Sequence, residues 1–383
     1  MTGAMTGAMT SGQRLRILVN AINDNAQPRG PDRYLIALIG QLVALPTPPE
    51  IHLLHAPWQP FFDHCDLGDG GRRSVIAAPR RPAERLIWQA TAFARLANAL
   101  PVGLVFLPNL IWTPGLRRPS VLTAHDLLQF RRPEKFGLAK AALLRPVIRR
   151  ALARATRVIA VSQFTADDIA RFAPVAPDRL SVIHEGGPLV QPRPAQLNKG
   201  TDGPLFLFVG KIERTKNVGL LIRAFLASQS LAAMGARLVI VGPDGNASAE
   251  IAPLLAQAGD RVQRPGFLPD ADLDQLYARC RGFVFPSTAE GFGLVVLEAM
   301  ARGAPVIAAA ATSLPEVVGD AGLLVPPDDA AALQAAMERL AQDADLAARL
   351  SDAGYRRLAG FSWQRAAEQT MDVMLAAARE VVH

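Results

Sequence analysis

Glu290-Gly291-Phe292-Gly293-Leu294-Val295-Val296-Leu297-Glu298 is the stretch from which the rest of the chain is read. Just upstream, the apolar run Gly282–Phe285 reads as a buried strand closed by Pro286-Ser287. Downstream, apolar residues continue to Ala301, and the pattern predicts a helix from about Leu294 to Arg302, stopped by Gly303. Strand, glycine turn and helix together are the repeating unit of a parallel α/β fold. Two glycines ahead of a helix N-terminus let backbone amides approach and cradle an anion. Glu298 stands among apolar residues, so its carboxylate needs a polar partner. It lies eight residues after Glu290, a gap of about 12 Å if wholly helical and longer through a loop. A glycosidase carboxylate pair sits at about 5–9.5 Å. The spacing therefore suits the two ends of an elongated ligand with an anion between them, as in the hexose, diphosphate and ribose of a sugar nucleotide. The alternative, a helix-capping Glu290 and a structural Glu298, stays open at this point.

Working outward, short apolar strands alternate with amphipathic stretches through both halves of the chain. Strands are expected at Arg16–Asn20, Leu104–Leu107, Ser120–Ala124, Arg157–Val161 and Leu180–Ile183. A second series follows at Leu205–Val209, Leu238–Val241, Pro305–Ala309 and Leu323–Val325. Asp270 is expected to cap a helix over Leu273–Cys280, Asp328 or Asp329 a long Ala-rich helix, and Ser362 a final helix to Val382. Gly186–Gly203, with three prolines, four glycines and little periodicity, reads as a linker. At 383 residues the chain exceeds the roughly 250–300 residues one core supports. The division predicted is a disordered leader at 1–13, a Rossmann-like domain at 14–187 and a linker at 188–203. A second Rossmann-like domain follows at 204–360, and a C-terminal helix at 361–383 returns to the first. Two doubly wound α/β domains facing each other would put ligands at the carboxyl ends of strands, in the cleft between them.

The net charge of +7 is unevenly spread: residues 1–203 carry 25 Lys and Arg against 14 Asp and Glu, whereas the remainder carries 16 against 20. That excess suits a phosphorylated ligand or an anionic membrane surface. Zinc-finger spacing and aromatic-rich RNA-binding strands are lacking, so no nucleic-acid partner is expected. Apolar runs fall well short of the ~20 residues of a membrane-spanning helix. Cys65 and Cys280 lie far apart, as buried small residues of a reducing cytoplasm would.

Other motifs read less sharply. Gly210-Lys211-Ile212-Glu213-Arg214-Thr215-Lys216-Asn217 follows a strand and lacks the Walker spacing; it is a phosphate-facing turn or an ordinary loop. His125-Asp126 ends a strand, where the histidine can bond a hydroxyl or phosphate with the aspartate orienting it, or serve structure alone. Arg33-Tyr34 could reach a diphosphate or an acceptor, or simply open a helix. Asp270-Ala271-Asp272 has a metal-binding spacing but reads as helix caps, and His52-x-x-His55 lacks further ligands. No metal site is expected. Arg145, Arg149, Arg150, Arg154 and Arg157 punctuate an apolar helix, Leu143 to Ala155, either lipid-facing or solvated.

With these residues in view, the chain resembles the retaining glycosyltransferases of family four, of GT-B architecture, in their mannosyltransferase-like group 1 branch. The matching run is Phe285-Pro286-Ser287, Glu290-Gly291-Phe292-Gly293-Leu294, Leu297-Glu298-Ala299-Met300-Ala301, Gly303 and Pro305-Val306. Thr312-Ser313-Leu314-Pro315-Glu316-Val317, Lys216-Asn217, Phe361-Ser362-Trp363, Thr123-Ala124-His125-Asp126-Leu127 and Val161-Ser162-Gln163-Phe164-Thr165 also fit. The likeness runs from about residue 14 to the C-terminus. By that resemblance Glu290 binds donor-sugar hydroxyls, Glu298 the ribose, and the amides of Gly291 to Leu294 sugar and diphosphate. Lys216 meets the leaving diphosphate, with Gly210 and Lys211 beside it, and His125 is the first domain's active-site histidine. Many relatives carry arginine where this chain has Lys211, and often Pro-Arg-Lys-Asn where it has Arg214-Thr215-Lys216-Asn217. Gly30-Pro31-Asp32-Arg33-Tyr34 resembles their Gly-Ile-Gly-Arg-Tyr loop without its second glycine; Arg33, Tyr34 and Asp126 would lie toward the acceptor.

The resemblance implies metal-independent, cofactor-free transfer of a hexose, with retained configuration, from a nucleotide sugar to a glycan or polyprenyl-linked acceptor. GDP-mannose is the first donor expected and a UDP-sugar the second. A cytoplasmic enzyme, peripheral on the membrane's inner face, is the matching location. A sugar-nucleotide epimerase of the same architecture and a non-catalytic sugar-nucleotide-binding subunit are the alternatives.

Overall fold

The computed structural model describes residues 14–110, 113–188 and 203–380. The leader expected at 1–13 and, apart from its two end residues, the linker expected at 188–203 lie outside them. The chain divides into two compact units, one of residues 1–185 with 363–383 and one of residues 186–362.

The first unit is built on a seven-stranded parallel sheet. Its strands are β1 (Arg16–Asn20), β2 (Glu50–His55), β3 (Arg72–Val75), β4 (Leu104–Leu107), β5 (Ser120–Ala124), β6 (Arg157–Ala160) and β7 (Leu180–Val182). They are ordered β3-β2-β1-β4-β5-β6-β7. Strands β4 and β5 are buried along their whole length, as an apolar run covered on both faces must be. Edge strand β3, Arg72-Arg73-Ser74-Val75, has little buried side chain and owes its conformation to pairing with β2.

The helix Trp363–Arg379 packs on this same sheet. Its Ala366, Ala367, Met371, Met374 and Ala377 join Ile17, Val19, Leu38 and Phe106 in one core, and Arg157 at the start of β6 pairs with Glu380 just past the helix. The helix begins directly after Ser362, the residue expected to cap it, and runs to Arg379.

The second unit carries a six-stranded parallel sheet: β8 (Leu205–Val209), β9 (Arg237–Val241), β10 (Val262–Gly266), β11 (Gly282–Phe285), β12 (Val306–Ala309) and β13 (Gly322–Val325). The order β10-β9-β8-β11-β12-β13 reverses direction between β8 and β11, as the first sheet does between β1 and β4. Such a switch point opens a crevice at the carboxyl ends of the two strands, where doubly wound folds bind ligands. Asp329 caps the helix Ala330–Gln342 by accepting from Ala332 N at 2.9 Å. Asp270, in contrast, is the first helical residue of Asp270–Arg279; Pro269 takes the extended N-cap conformation instead.

The basic helix spans Leu138–Arg154, longer than expected. Two of its arginines are tied down: Arg145 donates to Gln129 O at 2.9 Å and Arg149 to Phe172 O at 2.7 Å.

Candidate functional site

Lys216 and Glu290 meet at the switch point of the second sheet. Lys216 closes the 3-10 turn Arg214–Lys216 after β8, Glu290 lies in the loop after β11, and the ammonium donates to Glu290 Oε1. The lysine nitrogen also sits 5.0 Å from the centroid of the Phe285 ring, so an aromatic face and a carboxylate share its charge. Both side chains are largely buried, which strengthens their attraction relative to a surface pair. The two loops are stitched together by one carbonyl: Thr215 O accepts from Thr288 N at 2.8 Å, Ser287 Oγ at 3.1 Å and Thr288 Oγ1 at 3.2 Å.

Beyond Glu290 the chain turns into the helix Leu294–Ala301 through Gly293, whose φ of +111° belongs to glycine. A Cβ there would meet Leu314 Cδ2 at 3.0 Å. The turn is braced from β12 onward. Thr312 Oγ1 accepts from Glu290 N at 3.0 Å, and Ser313 Oγ lies 3.2 Å from Glu290 O and 2.8 Å from Phe292 O. Thr312 is held at φ +52°, left-handed for a β-branched residue and a strain of about 1–3 kcal/mol that the surrounding bonds must offset. Phe292 contributes backbone only, because its ring is buried edge-to-face against Phe361 at 5.7 Å. Glu298 corrects one expectation. The helix is not buried all round: Leu294, Val295 and Glu298 are half-buried on one face, while Val296, Leu297, Ala299 and Met300 are buried. The Glu298 side chain thus shares the face of the helix's first-turn residues and is not sealed in the core.

Gly210 and Lys211 lead from β8. Gly242, at the end of β9, approaches so closely that a Cβ on it would lie 2.1 Å from Gly210 O. Lys211 is half-exposed and pairs with Glu213 at 3.3 Å, separate from the Lys216–Glu290 contact.

In the first unit His125 leaves β5 with both ring nitrogens engaged. Nδ1 lies 3.1 Å from Glu185 Oε1 and Nε2 lies 3.0 Å from Pro108 O. The residue expected to orient it, Asp126, instead accepts from Leu128 N at 3.0 Å, closing a local turn that serves the backbone. Tyr34 is buried: its hydroxyl lies 3.3 Å from Thr123 Oγ1, burial pushes its pKa well up, and its ring packs edge-on with that of His125 (centroids 4.8 Å). Arg33 is exposed on the first turn of the helix Gly30–Leu42. The loop before that helix is organised by buried Asp32, which accepts from Asn23 Nδ2 and Asn25 Nδ2, each at 2.7 Å, and from Arg29 N at 3.0 Å.

The remaining motifs separate from the chemistry. His52 and His55 sit three apart on β2, hence on opposite faces; His52 bonds Ser74 Oγ and buried His55 faces Asp63. A cavity of about 160 Å³ lined by Arg16, Glu50, Arg72 and Val102 lies at the amino ends of β1–β4, away from the switch points. Sequence reading missed Glu185, and although Thr215, Ser287 and Asp32 lay inside quoted motifs it gave them no role. Thr312 and Ser313 stood inside a matched run, but nothing local tied them to Glu290.

Comparison with known proteins bears on both units. Residues 28–188 match the model of Glycosyltransferase Family 4, and residues 191–357 that of Glycosyl transferases group 1. O-antigen chain mannosyltransferase B of Escherichia coli is 32% identical over 277 residues, covering 69% of this chain and 72% of that one. D-inositol 3-phosphate glycosyltransferase of Streptomyces coelicolor is 32% identical over 260 residues; the match covers 59% of this chain and only 56% of that relative. Among solved structures, sucrose-phosphate synthase from Thermosynechococcus elongatus superposes with a TM-score of 0.77 at 24% identity, over 95% of this chain and 99% of that one. Anabaena HepE in complex with UDP-glucose gives 0.73 at 20% identity, over 94% and 100%. The two parallel-sheet units are those of a GT-B glycosyltransferase. The chain belongs to glycosyltransferase family 4, the group 1 transferases.

Proposed function

We propose that this protein is a retaining hexosyltransferase that moves mannose from GDP-mannose, without an essential metal or cofactor, to a hydroxyl of a glycan or polyprenyl-linked acceptor in polysaccharide or glycolipid synthesis. The observation that carries the reading is the Lys216–Glu290 pair at the carboxyl ends of β8 and β11, directly ahead of the Gly293-capped helix. A diphosphate at that helix N-terminus meets backbone amides of Gly291 to Leu294 and the Lys216 charge, with Lys211 and Gly210 alongside. Glu290 then accepts from sugar hydroxyls and Glu298 from the ribose. The acceptor oxygen bonds to the anomeric carbon on the face from which the diphosphate leaves. The sugar–phosphate bond breaks with its electron pair on the nucleoside diphosphate, and the acceptor's proton passes to it. His125 acts on the sugar side. Inverted anomeric configuration in the product, read by NMR of the anomeric proton, would refute the stereochemical part.

A UDP-sugar is the second donor reading, favoured by the fold's likeness to HepE in complex with UDP-glucose. Thermal shift against GDP, UDP, ADP and TDP sugars separates the two. A ligand at a hundred times its Kd adds about 2.7 kcal/mol, and the base that stabilises names the donor. Stabilisation by none would count against the transferase reading and against a sugar-nucleotide-binding subunit alike. Among the described residues no helix is long and apolar enough to cross a membrane. The basic first half supports peripheral contact with an anionic inner-membrane surface, checked by co-sedimentation with phosphatidylglycerol vesicles at low and high salt.

A further inference from the structure

We infer that Glu185 is the positioning residue of His125, holding the imidazole in one orientation with a proton on Nδ1; this rests on the proposed role of His125 in the transfer. Three residues past β7, Glu185 is 4% exposed, and a carboxylate that deep needs a charged or strongly donating partner. The Nδ1–Oε1 contact of 3.1 Å supplies one. The other ring nitrogen faces a second acceptor, Pro108 O, at 3.0 Å. With acceptors on both sides, the two bonds form together only when both nitrogens bear protons. A ring flip would exchange a nitrogen for a carbon at each contact. Tyr34 closes the remaining side at an interplanar angle of 85° and is itself backed by Trp363, while Thr165 Oγ1 donates to His125 O at 3.3 Å. The imidazole is thus clamped from the exits of β4 and β7, with Nδ1 facing the carboxylate and Nε2 facing a carbonyl. So held, His125 donates Nε2–H to a substrate oxygen that takes the place of Pro108 O, and Glu185 never touches the reacting atoms.

The test uses the full chain with GDP-mannose and an alkyl mannoside acceptor, alongside ¹⁵N-edited NMR of the His125 ring. Glu185→Ala lowers kcat about ten- to hundredfold, by analogy with the loss of an orienting partner from a metal-ligating histidine, with the donor KM near wild type. Glu185→Gln, whose amide oxygen still accepts from Nδ1–H, recovers most of the rate. Adding Glu185→Ala to His125→Ala costs nothing further. His125 ring signals unchanged in Glu185→Ala would overturn the inference whatever the activity, as would wild-type kcat in that variant beside a crippled His125→Ala. Normal turnover in His125→Ala would remove the role of the histidine, and the ring signals would still decide the role of Glu185.

Discussion

Lys216 and Glu290, 74 residues apart in sequence, are joined by a hydrogen bond between oppositely charged groups inside the second unit. Each neutralises the other while the site is without donor. On the proposed reading, a bound diphosphate would compete with Glu290 for the lysine, and a bound sugar with the lysine for the carboxylate.

Removing either partner therefore hits turnover and stability separately. Lys216→Ala and Glu290→Ala should each lower kcat/KM by about 10²–10³, the scale of losing one charge-stabilising group, while circular dichroism stays native. In denaturant the double variant should be less destabilised than the sum of the two singles, by about 0.5–3 kcal/mol of coupling. Additive losses would mean that the pair does not interact in solution.

Ser313→Ala strips a buried hydroxyl from the carbonyls of Glu290 and Phe292. An unsatisfied buried acceptor costs about 1–3 kcal/mol, and the loosened turn should raise donor KM more than it lowers kcat. Equal effects on both would argue that Ser313 shapes the transition state itself.

Gly293→Ala puts a Cβ where φ is +111° and Leu314 Cδ2 is 3.0 Å away. The backbone strain alone is about 1–3 kcal/mol. Donor affinity, measured by calorimetry, should fall with it, since the same turn aims the amides.

The two cysteines report on the two units independently. Burial pushes the Cys280 thiol up to about 12 and raises that of Cys65 as well. At pH 8 neither should react with a disulfide reagent in the native protein. Met374→Ala, in the first unit's core, costs about 2–5 kcal/mol and should speed labelling of Cys65 while leaving Cys280 protected. Equal acceleration of both would show the units opening together.

What the sequence disclosed depended on distance along the chain. Strands β1, β4, β5, β8 and β11 announce themselves as compact apolar runs, and the glycine turn with both glutamates lies within nine residues. The three strands it hid are β2, β3 and β10. Glu50-Ile51-His52-Leu53-Leu54-His55 mixes polar and apolar positions, β3 is mostly polar, and edge strand β10 contains Pro265. Their strandedness comes from neighbours rather than from composition. The same holds at the site. Asp126 drew attention by adjacency to His125, yet the residue that meets the ring is Glu185, 60 positions later. Sequence proximity is a poor guide where sheet topology brings strand ends together.

The return of the helix Trp363–Arg379 to the first sheet makes one unit continuous and the other discontinuous in the chain. During synthesis the second unit is complete in sequence once Ser362 has been added, whereas the first still lacks the residues that cover Ile17 and Phe106. The order in which the units become complete in sequence is thereby the reverse of their order along the chain. The half that carries His125 is translated early, yet its core is covered over Ile17 and Phe106 only after the helix Trp363–Arg379 has been made.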